Sequence, residues 1–245
     1  MKSYFLIVIL VAIFNIPFVS AQTNKMFKPS LLITETEPET VVISDLAELF
    51  LFSDALTPLL GETEKQDMYD YYKNNMDAVA TNRLGGKSQL LEFSDDYMKL
   101  QVSESHLVEV RSYLDNRKVE FEDTVIVAPY HVNVVLSTVK VPAADTEIAF
   151  YDVLKQKLDT EKFIKLPKVE DFFNVKSKKQ LQELMSYIEF PLIQYEFTPD
   201  GGLVAKTTIA DYMSEEQFKK VEQYIIPKLV YQWNADKTKY ELLKN

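Results

Sequence analysis

Beyond Met76 the spacing of apolar residues changes from about 3.6 to 2 and holds that period for roughly seventy-five residues. A run of that length commits the middle of the chain to a large antiparallel sheet with one wet face. Tyr97-Met98-Lys99-Leu100-Gln101-Val102 alternates cleanly, with Met98, Leu100 and Val102 inward, and Val108 and Val110 continue the pattern in the next segment. Gly85-Gly86 marks the first turn and Asp115-Asn116 a later one. Thr124-Val125-Ile126-Val127, Val132 to Val139 and Ile148 to Tyr151 supply β-branched and aromatic residues suited to a pleated surface.

Helical spacing flanks the sheet. Leu46, Leu49, Phe50, Leu56, Leu59 and Leu60 recur at helical intervals until Pro58 and Gly61 interrupt them. Thr63-Glu64-Lys65-Gln66 matches a capping box, predicting a second helix to about Met76 that buries Met68, Tyr72 and Met76. After a Lys-rich, Pro-containing connection over 154–176 that holds the buried-looking pair Phe172-Phe173, capping boxes recur at Ser177 to Gln180 and Ser214 to Gln217. The first predicts a helix burying Leu181, Leu184, Met185 and Ile188. The second predicts one burying Phe218, Val221 and Ile225, ended by Pro227. Pro199-Asp200-Gly201-Gly202 reads as a hairpin turn, and Leu229 to Trp233 with Lys239 to Leu243 as the last two strands.

The fold class is therefore α+β, with an N-terminal helix pair on a large antiparallel sheet followed by a smaller helix and strand region. The divisions are 43–153 for helix pair and sheet, 154–176 for the connection and 177–245 for the smaller region packed on the first. Helix-then-strands occurs in both halves, so a loose tandem stays open.

The N-terminus carries a different signal. Lys2 precedes an uncharged apolar run from Tyr4 to Phe14, Asn15 and Pro17 break it, and Val19-Ser20-Ala21 offers the small residues a signal peptidase accepts. The run is shorter than the roughly 20 residues a membrane span needs. Residues 1–21 thus read as a cleaved export signal, and 22–42, with Glu35, Glu37 and Glu39 around Pro38, as an extended lead-in. The absence of cysteine removes a lipoprotein anchor, disulfides and thiol chemistry. Loss of Lys2 with the signal leaves 26 Lys and Arg against 37 Asp and Glu, a net charge of −11 that disfavours nucleic acid as a partner.

Asp67-Met68-Tyr69-Asp70-Tyr71-Tyr72, Ala80-Thr81-Asn82-Arg83-Leu84-Gly85-Gly86 and Ser94-Asp95-Asp96-Tyr97 through Ser105 resemble an exported Bacteroidetes family, domain of unknown function 3256. Ser137-Thr138-Val139, Ala149 to Asp152, Ile188 to Ile193 and Leu229 to Trp233 extend the resemblance in family order over nearly the whole mature chain. The family pattern often carries cysteine after the position of Thr138-Val139, where this chain has Lys140. The resemblance implies an exported bacterial protein and brings no activity, cofactor or catalytic residue.

Candidate chemistry is sparse. Only His106 and His131 offer an imidazole, and Ser103-Glu104-Ser105-His106 reads as a turn between strands, since sequence neighbours do not face one another as triad members must. Two histidines twenty-five positions apart have no recognisable zinc spacing, although metal binding by carboxylates alone stays open. Asp95-Asp96, Glu122-Asp123, Glu170-Asp171 and Glu215-Glu216 are adjacent acids of the kind found in solvated turns. Asn82-Arg83 beside Gly85-Gly86 is the sharpest feature, an arginine placed to meet an anionic ligand or a partner's carboxylate, or else one of the chain's own acids. Tyr130 and His131 join Asn82 and Arg83 as binding candidates; Tyr69, Tyr71, Tyr72, Tyr195, Tyr231 and Trp233 read chiefly as core.

No catalytic, cofactor or metal site is assigned. The reading favours an exported, periplasmic or secreted, non-catalytic binding protein whose partner is an envelope protein or a glycan, with no membrane anchor after cleavage. A carboxylate-dependent hydrolase of envelope or dietary glycans is the alternative, and a structural subunit of an envelope complex a third reading. An enzyme requires a deep pocket with two facing carboxyls, a binding module an aromatic patch or an exposed sheet edge, and a structural subunit a large apolar surface.

Overall fold

The computed structural model describes residues 45–54, 56–115, 119–121, 124–126, 130–152 and 155–243, with side chains withheld at 45, 115, 119–121, 124–126 and 130. The export signal, the lead-in, Asn116, Glu122-Asp123 and Val127 lie outside the described residues. The chain from Val42 to Asn245 forms one compact unit.

Helices α1 (Asp45–Phe52) and α2 (Glu62–Lys73) open the fold. The helix predicted from Thr63 begins one residue earlier, and Gly61 at its N-cap makes no side-chain cap bond, so the capping box is not formed. It also stops at Lys73, which leaves Met76 exposed instead of buried. The expected core contact is intact in Met68, which is fully buried. Lys65 is fully buried too, and its ammonium donates to the Ser53 carbonyl at 3.0 Å, satisfying backbone that α1 leaves unpaired as it ends.

The helices lie on a seven-stranded antiparallel sheet of order β1-β2-β3-β4-β7-β8-β9, formed by Val79–Thr81, Lys87–Phe93, Tyr97–Ser103, His106–Asp115, Tyr130–Val139, Asp145–Tyr151 and Lys157–Leu158. Between β4 and β7 the chain makes a separate two-stranded hairpin, β5 (Val119–Phe121) and β6 (Thr124–Ile126). Met98, Leu100, Val102, Val108 and Val110 face the helices and are buried there, as their alternation predicts. In β2 the register slips between Leu90 and Glu92. That extra residue changes the parity of the strand, so Phe93 lies on the same face as Leu90 and meets Phe50, Tyr69 and Tyr72 at centroid distances of 6.2, 5.2 and 6.4 Å.

A second sheet, β10 (Ile193–Phe197), β11 (Leu203–Thr207), β12 (Leu229–Asn234) and β13 (Lys239–Leu242), is antiparallel in sequence order. Asp200-Gly201 turns β10 into β11 with Gly201 at φ 82°. Helices α3 (Lys178–Met185) and α4 (Glu215–Val221) begin at Ser177 and Ser214, whose hydroxyls accept from the N–H of Gln180 and Gln217.

The small sheet covers the other face of the large one. Val132, Val134, Leu136, Ile148 and Phe150 share a core with Tyr195, Leu203, Ala205, Tyr231 and Tyr240. The central strands are therefore covered on both faces where one wet face is expected. The sign of it in β8 is four consecutive buried residues, Ile148 to Tyr151, because a strand covered on both sides has no polar side to alternate with. The architecture is helices, large sheet and small sheet in three layers, an α+β fold as the sequence predicts.

Candidate functional site

The small sheet ends at β13, an edge strand. Leu243 N–H donates to the Val230 carbonyl at 2.8 Å, so in this register Glu241 and Lys239 turn their backbone groups toward β12 while Tyr240 and Leu242 turn theirs outward. Tyr240 N–H is taken by the Phe163 carbonyl at 2.7 Å, and Phe163 is anchored by stacking on Phe150 at 4.8 Å. Past Phe163 the chain makes no further backbone bond to β13, and Leu242 N–H has no partner among the described residues.

That divergence opens a cleft of about 680 Å³ between residues 161–171 and the ends of β12 and β13. Its apolar lining includes Ile164, Pro167 and Leu229, with Leu166 and Leu242 left 44 % and 49 % exposed. Lys162 and Lys165 reach it without an ion pair or side-chain hydrogen bond among the described residues. Of its carboxylates, Glu241 is bound by Lys237 at 2.8 Å and Asn234 at 2.9 Å, and these bonds, that to Lys237 foremost, hold its pKa below the usual carboxylate range. Asp171 accepts from Lys168 N–H at 2.8 Å, and the Glu161 carboxylate has no partner among the described residues. Tyr231 contributes its hydroxyl, 3.5 Å from the Lys165 carbonyl and pushed up to about 12 by burial and by Asp171. A shallower groove of about 570 Å³, lined by Ile188, Pro191 and Ile193, lies on the far side of Pro167.

A smaller cavity of about 200 Å³ lies on the helix-facing side of β4, β7 and β8, with Val108, Val135 and Ala149 among its lining. In it His106 Nε2 and Ser137 Oγ are 2.8 Å apart, a contact thirty-one residues apart in sequence. Burial lowers the imidazole's basicity. The pair does not form a triad: Glu147 pairs across the strands with Ser137, on the serine's side, and it is engaged by Lys157 at 3.0 Å. Ser137 also sits inside β7, which is hydrogen-bonded to β4 on one side and β8 on the other, so its strand offers no spare N–H for an oxyanion.

The sequence candidates fall in separate places. Asn82 is buried at the β1–β2 turn: its Oδ1 accepts from Leu84 and Gly86 N–H at 3.1 Å each, and its Nδ2 donates to the Val102 carbonyl at 3.1 Å. Arg83 points its guanidinium to the Pro58 carbonyl at 3.0 Å, and its N–H donates to the Leu59 carbonyl, so it ties the turn to the α1–α2 loop and pairs with no acid among the described residues. His131 accepts or donates through Nδ1 with Ser112 Oγ at 2.9 Å, opposite Leu114, and Tyr130 opens β7 next to it. Asn82 meets the β3 end near His106, and from His106 to Leu114 β4 runs roughly 27 Å at about 3.4 Å per residue. Asn82 and Arg83 therefore share no site with Tyr130 and His131. Asp95-Asp96 forms a turn in which Asp96 accepts from Ser94 Oγ at 2.9 Å.

Of the aromatics read as core, Tyr195 and Tyr231 are buried, Tyr69 and Tyr72 are half-buried against the helix-side core, and Tyr71 is exposed instead, on the outer side of α2. Trp233 is half-buried and stacks on Tyr113 at 4.3 Å with Tyr240 edge-on at 5.1 Å. Sequence reasoning passes over Lys162, Lys165, Leu166 and Leu242, which lie in a connection and a terminal strand. The one local signal is the Lys and Pro content of the connection.

Fold and site together define an exposed-edge α+β protein with a cleft of mixed apolar and charged lining. The pattern of a family described as protein of unknown function (DUF3256) matches residues 40–238, and the chain belongs to that family. No curated protein matches. Among solved structures, a domain of an uncharacterized protein from Porphyromonas gingivalis W83 is similar, with a TM-score of 0.66 and 21 % identity over 83 % of this chain and 100 % of that one. At that identity the likeness speaks to the fold alone. No helix among the described residues is long and apolar enough to cross a membrane.

Proposed function

We propose that this chain is an exported protein of the cell envelope that works by binding a partner protein in the cleft beside β13, without catalysis. Export rests on the charge, apolar run and small residues of positions 1–21. Binding rests on one observation above the others, a cleft of about 680 Å³ open along an unpaired strand edge and lined by exposed aliphatic side chains. A glycan is the weaker occupant, because sugars stack on exposed aromatic faces and the tyrosines of this cleft, Tyr231 and Tyr240, are 2 % and 3 % exposed. Glycan hydrolysis is weaker still: its general acid must be a carboxyl with raised pKa, whereas Glu241 is lowered by Lys237.

Two measurements test this. Expressed in a Gram-negative cell, the chain is expected in the periplasmic fraction beginning at Gln22; chain confined to the cytoplasm with Met1 intact would remove the export claim. Mature protein is expected to retain a specific envelope protein from extracts of its source bacterium, and the double variant Leu166→Asp, Leu242→Asp to lose it. Retention by both forms, or by neither, would overturn the assignment of the cleft.

A further inference from the structure

We infer that the partner enters as an extended acidic segment that adds a fifth strand to the small sheet beside β13, pairing with the main chain of Leu242 while its carboxylates meet Lys162 and Lys165. The inference rests on the binding role proposed for the cleft and specifies the chemistry of the occupant. Three observations carry it.

The first is the main chain. β13 is sealed at Tyr240, whose N–H is held by Phe163, and unsealed at Leu242, whose outward N–H makes no hydrogen bond among the described residues. An unpaired edge group that faces a cleft is what an incoming strand satisfies, and main-chain pairing supplies affinity without a fixed sequence.

The second is the shape of the opening. The guest would lie where Phe163 to Lys165 leaves the sheet edge, taking the position next to β13 that this segment occupies only at Phe163. Alternate side chains of a strand there point to the apolar wall of Leu166, Leu229 and Leu242.

The third is charge. The lining holds three lysines and three acids; Glu241 is held by Lys237 with Lys239 at 3.9 Å and Asp171 by Lys168 N–H, which leaves the side chains of Lys162, Lys165 and Glu161 without a partner among the described residues, two cations to one carboxylate on a chain of net charge −10. A segment alternating acidic and aliphatic residues places carboxylates on one face and methyl groups on the other, which matches both walls. A second copy of this chain fits poorly, because two acidic molecules repel over the whole surface.

The test uses the mature protein and fluorescein-labelled synthetic peptides read by fluorescence anisotropy. The probes are an alternating Glu-Val hexapeptide, its Lys-Val counterpart, and two forms of the Glu-Val peptide N-methylated at alternate amides, one form for each strand edge. The Glu-Val peptide is expected to bind at least about tenfold more tightly than the Lys-Val peptide. One N-methylated form is expected to lose binding and the other to keep it, since only one edge of a guest strand pairs with β13. The variant Lys162→Glu, Lys165→Glu should reverse the charge preference. No binding, equal binding of both charge types, or equal binding of both N-methylated forms would overturn the inference, as would elution as a dimer with no response to any peptide. If an envelope partner depends on Leu166 and Leu242 while the peptides fail these tests, strand addition is wrong and the cleft assignment stands. If no partner depends on the cleft, the assignment itself is wrong.

Discussion

Asn82 illustrates how far a residue's role depends on where its neighbours end up. Its side chain accepts from two turn amides and donates to the Val102 carbonyl, so it holds the β1–β2 turn closed against β3. Asn82→Ala leaves those groups unsatisfied and is expected to lower unfolding free energy by about 2 kcal/mol in urea titration, with the denaturant slope unchanged. Lys65→Met keeps the aliphatic stem but strips the Ser53 carbonyl of its donor, and is expected to cost about 1–3 kcal/mol by the same measurement. His106 gives a pH dependence. Burial lowers its folded pKa below the ordinary value of about 6.5, so on acidification the unfolded chain takes up the proton first. Stability is full above about 6.5 and falls as the pH drops toward the folded pKa. Thermal unfolding of His106→Gln across that window should show a shallower decline than the parent.

At the scale of elements, the join between the two sheets is aromatic and polar. The Tyr113 hydroxyl donates to the Gly201 carbonyl at 2.7 Å, and the Tyr240 hydroxyl, 2.6 Å away, then donates to Tyr113, because a phenol has one proton. Burial pushes Tyr113 up to about 12 and Tyr240 well above its ordinary range. Arg111 adds a cation between the rings of Tyr97 and Phe197, at 5.0 and 5.6 Å, and its Nη1 reaches the Thr198 carbonyl at 3.4 Å. Tyr113→Phe removes the bond across the layers while keeping the stack on Trp233, and is expected to cost about 1–3 kcal/mol. Ser177→Ala and Ser214→Ala act on the short helices α3 and α4, at about 1 kcal/mol each.

The whole molecule is held by a core that neither half owns. Phe150 and Leu136 of the large sheet pack with Leu203 and Tyr231 of the small one. An excised 43–153 or 177–245 would expose half of that core, so the sequence division at 154–176 is expected to have no independent folding units on either side. Calorimetry of the mature protein should give one transition with equal calorimetric and van't Hoff enthalpies, and the separate fragments should give none. Two resolved transitions would show that the halves fold alone.

Local chemistry was legible wherever neighbours in sequence decide it. The period-2 run predicts the strands, Ser177 and Ser214 predict the starts of α3 and α4, and Asp200-Gly201 predicts the β10–β11 turn. Thr63 failed because Glu62 already begins the helix, and the one-wet-face pattern failed because no residue in β7 or β8 records what will cover it. Among the site residues, Asn82 and Arg83 stood out by sequence yet proved to tie a turn to its neighbours, while Lys162 and Lys165 were marked only by the Lys and Pro content of their connection and Leu242 only as part of a strand. The sequence by itself determined the strands, the caps of α3 and α4, the absence of thiol chemistry and the pattern of an export signal, because each is set by residue type at short range. Only the tertiary structure decided that the small sheet lies on the large one, that His106 meets Ser137 and that β13 is left with an open edge, because those depend on which distant segment occupies the space beside each strand.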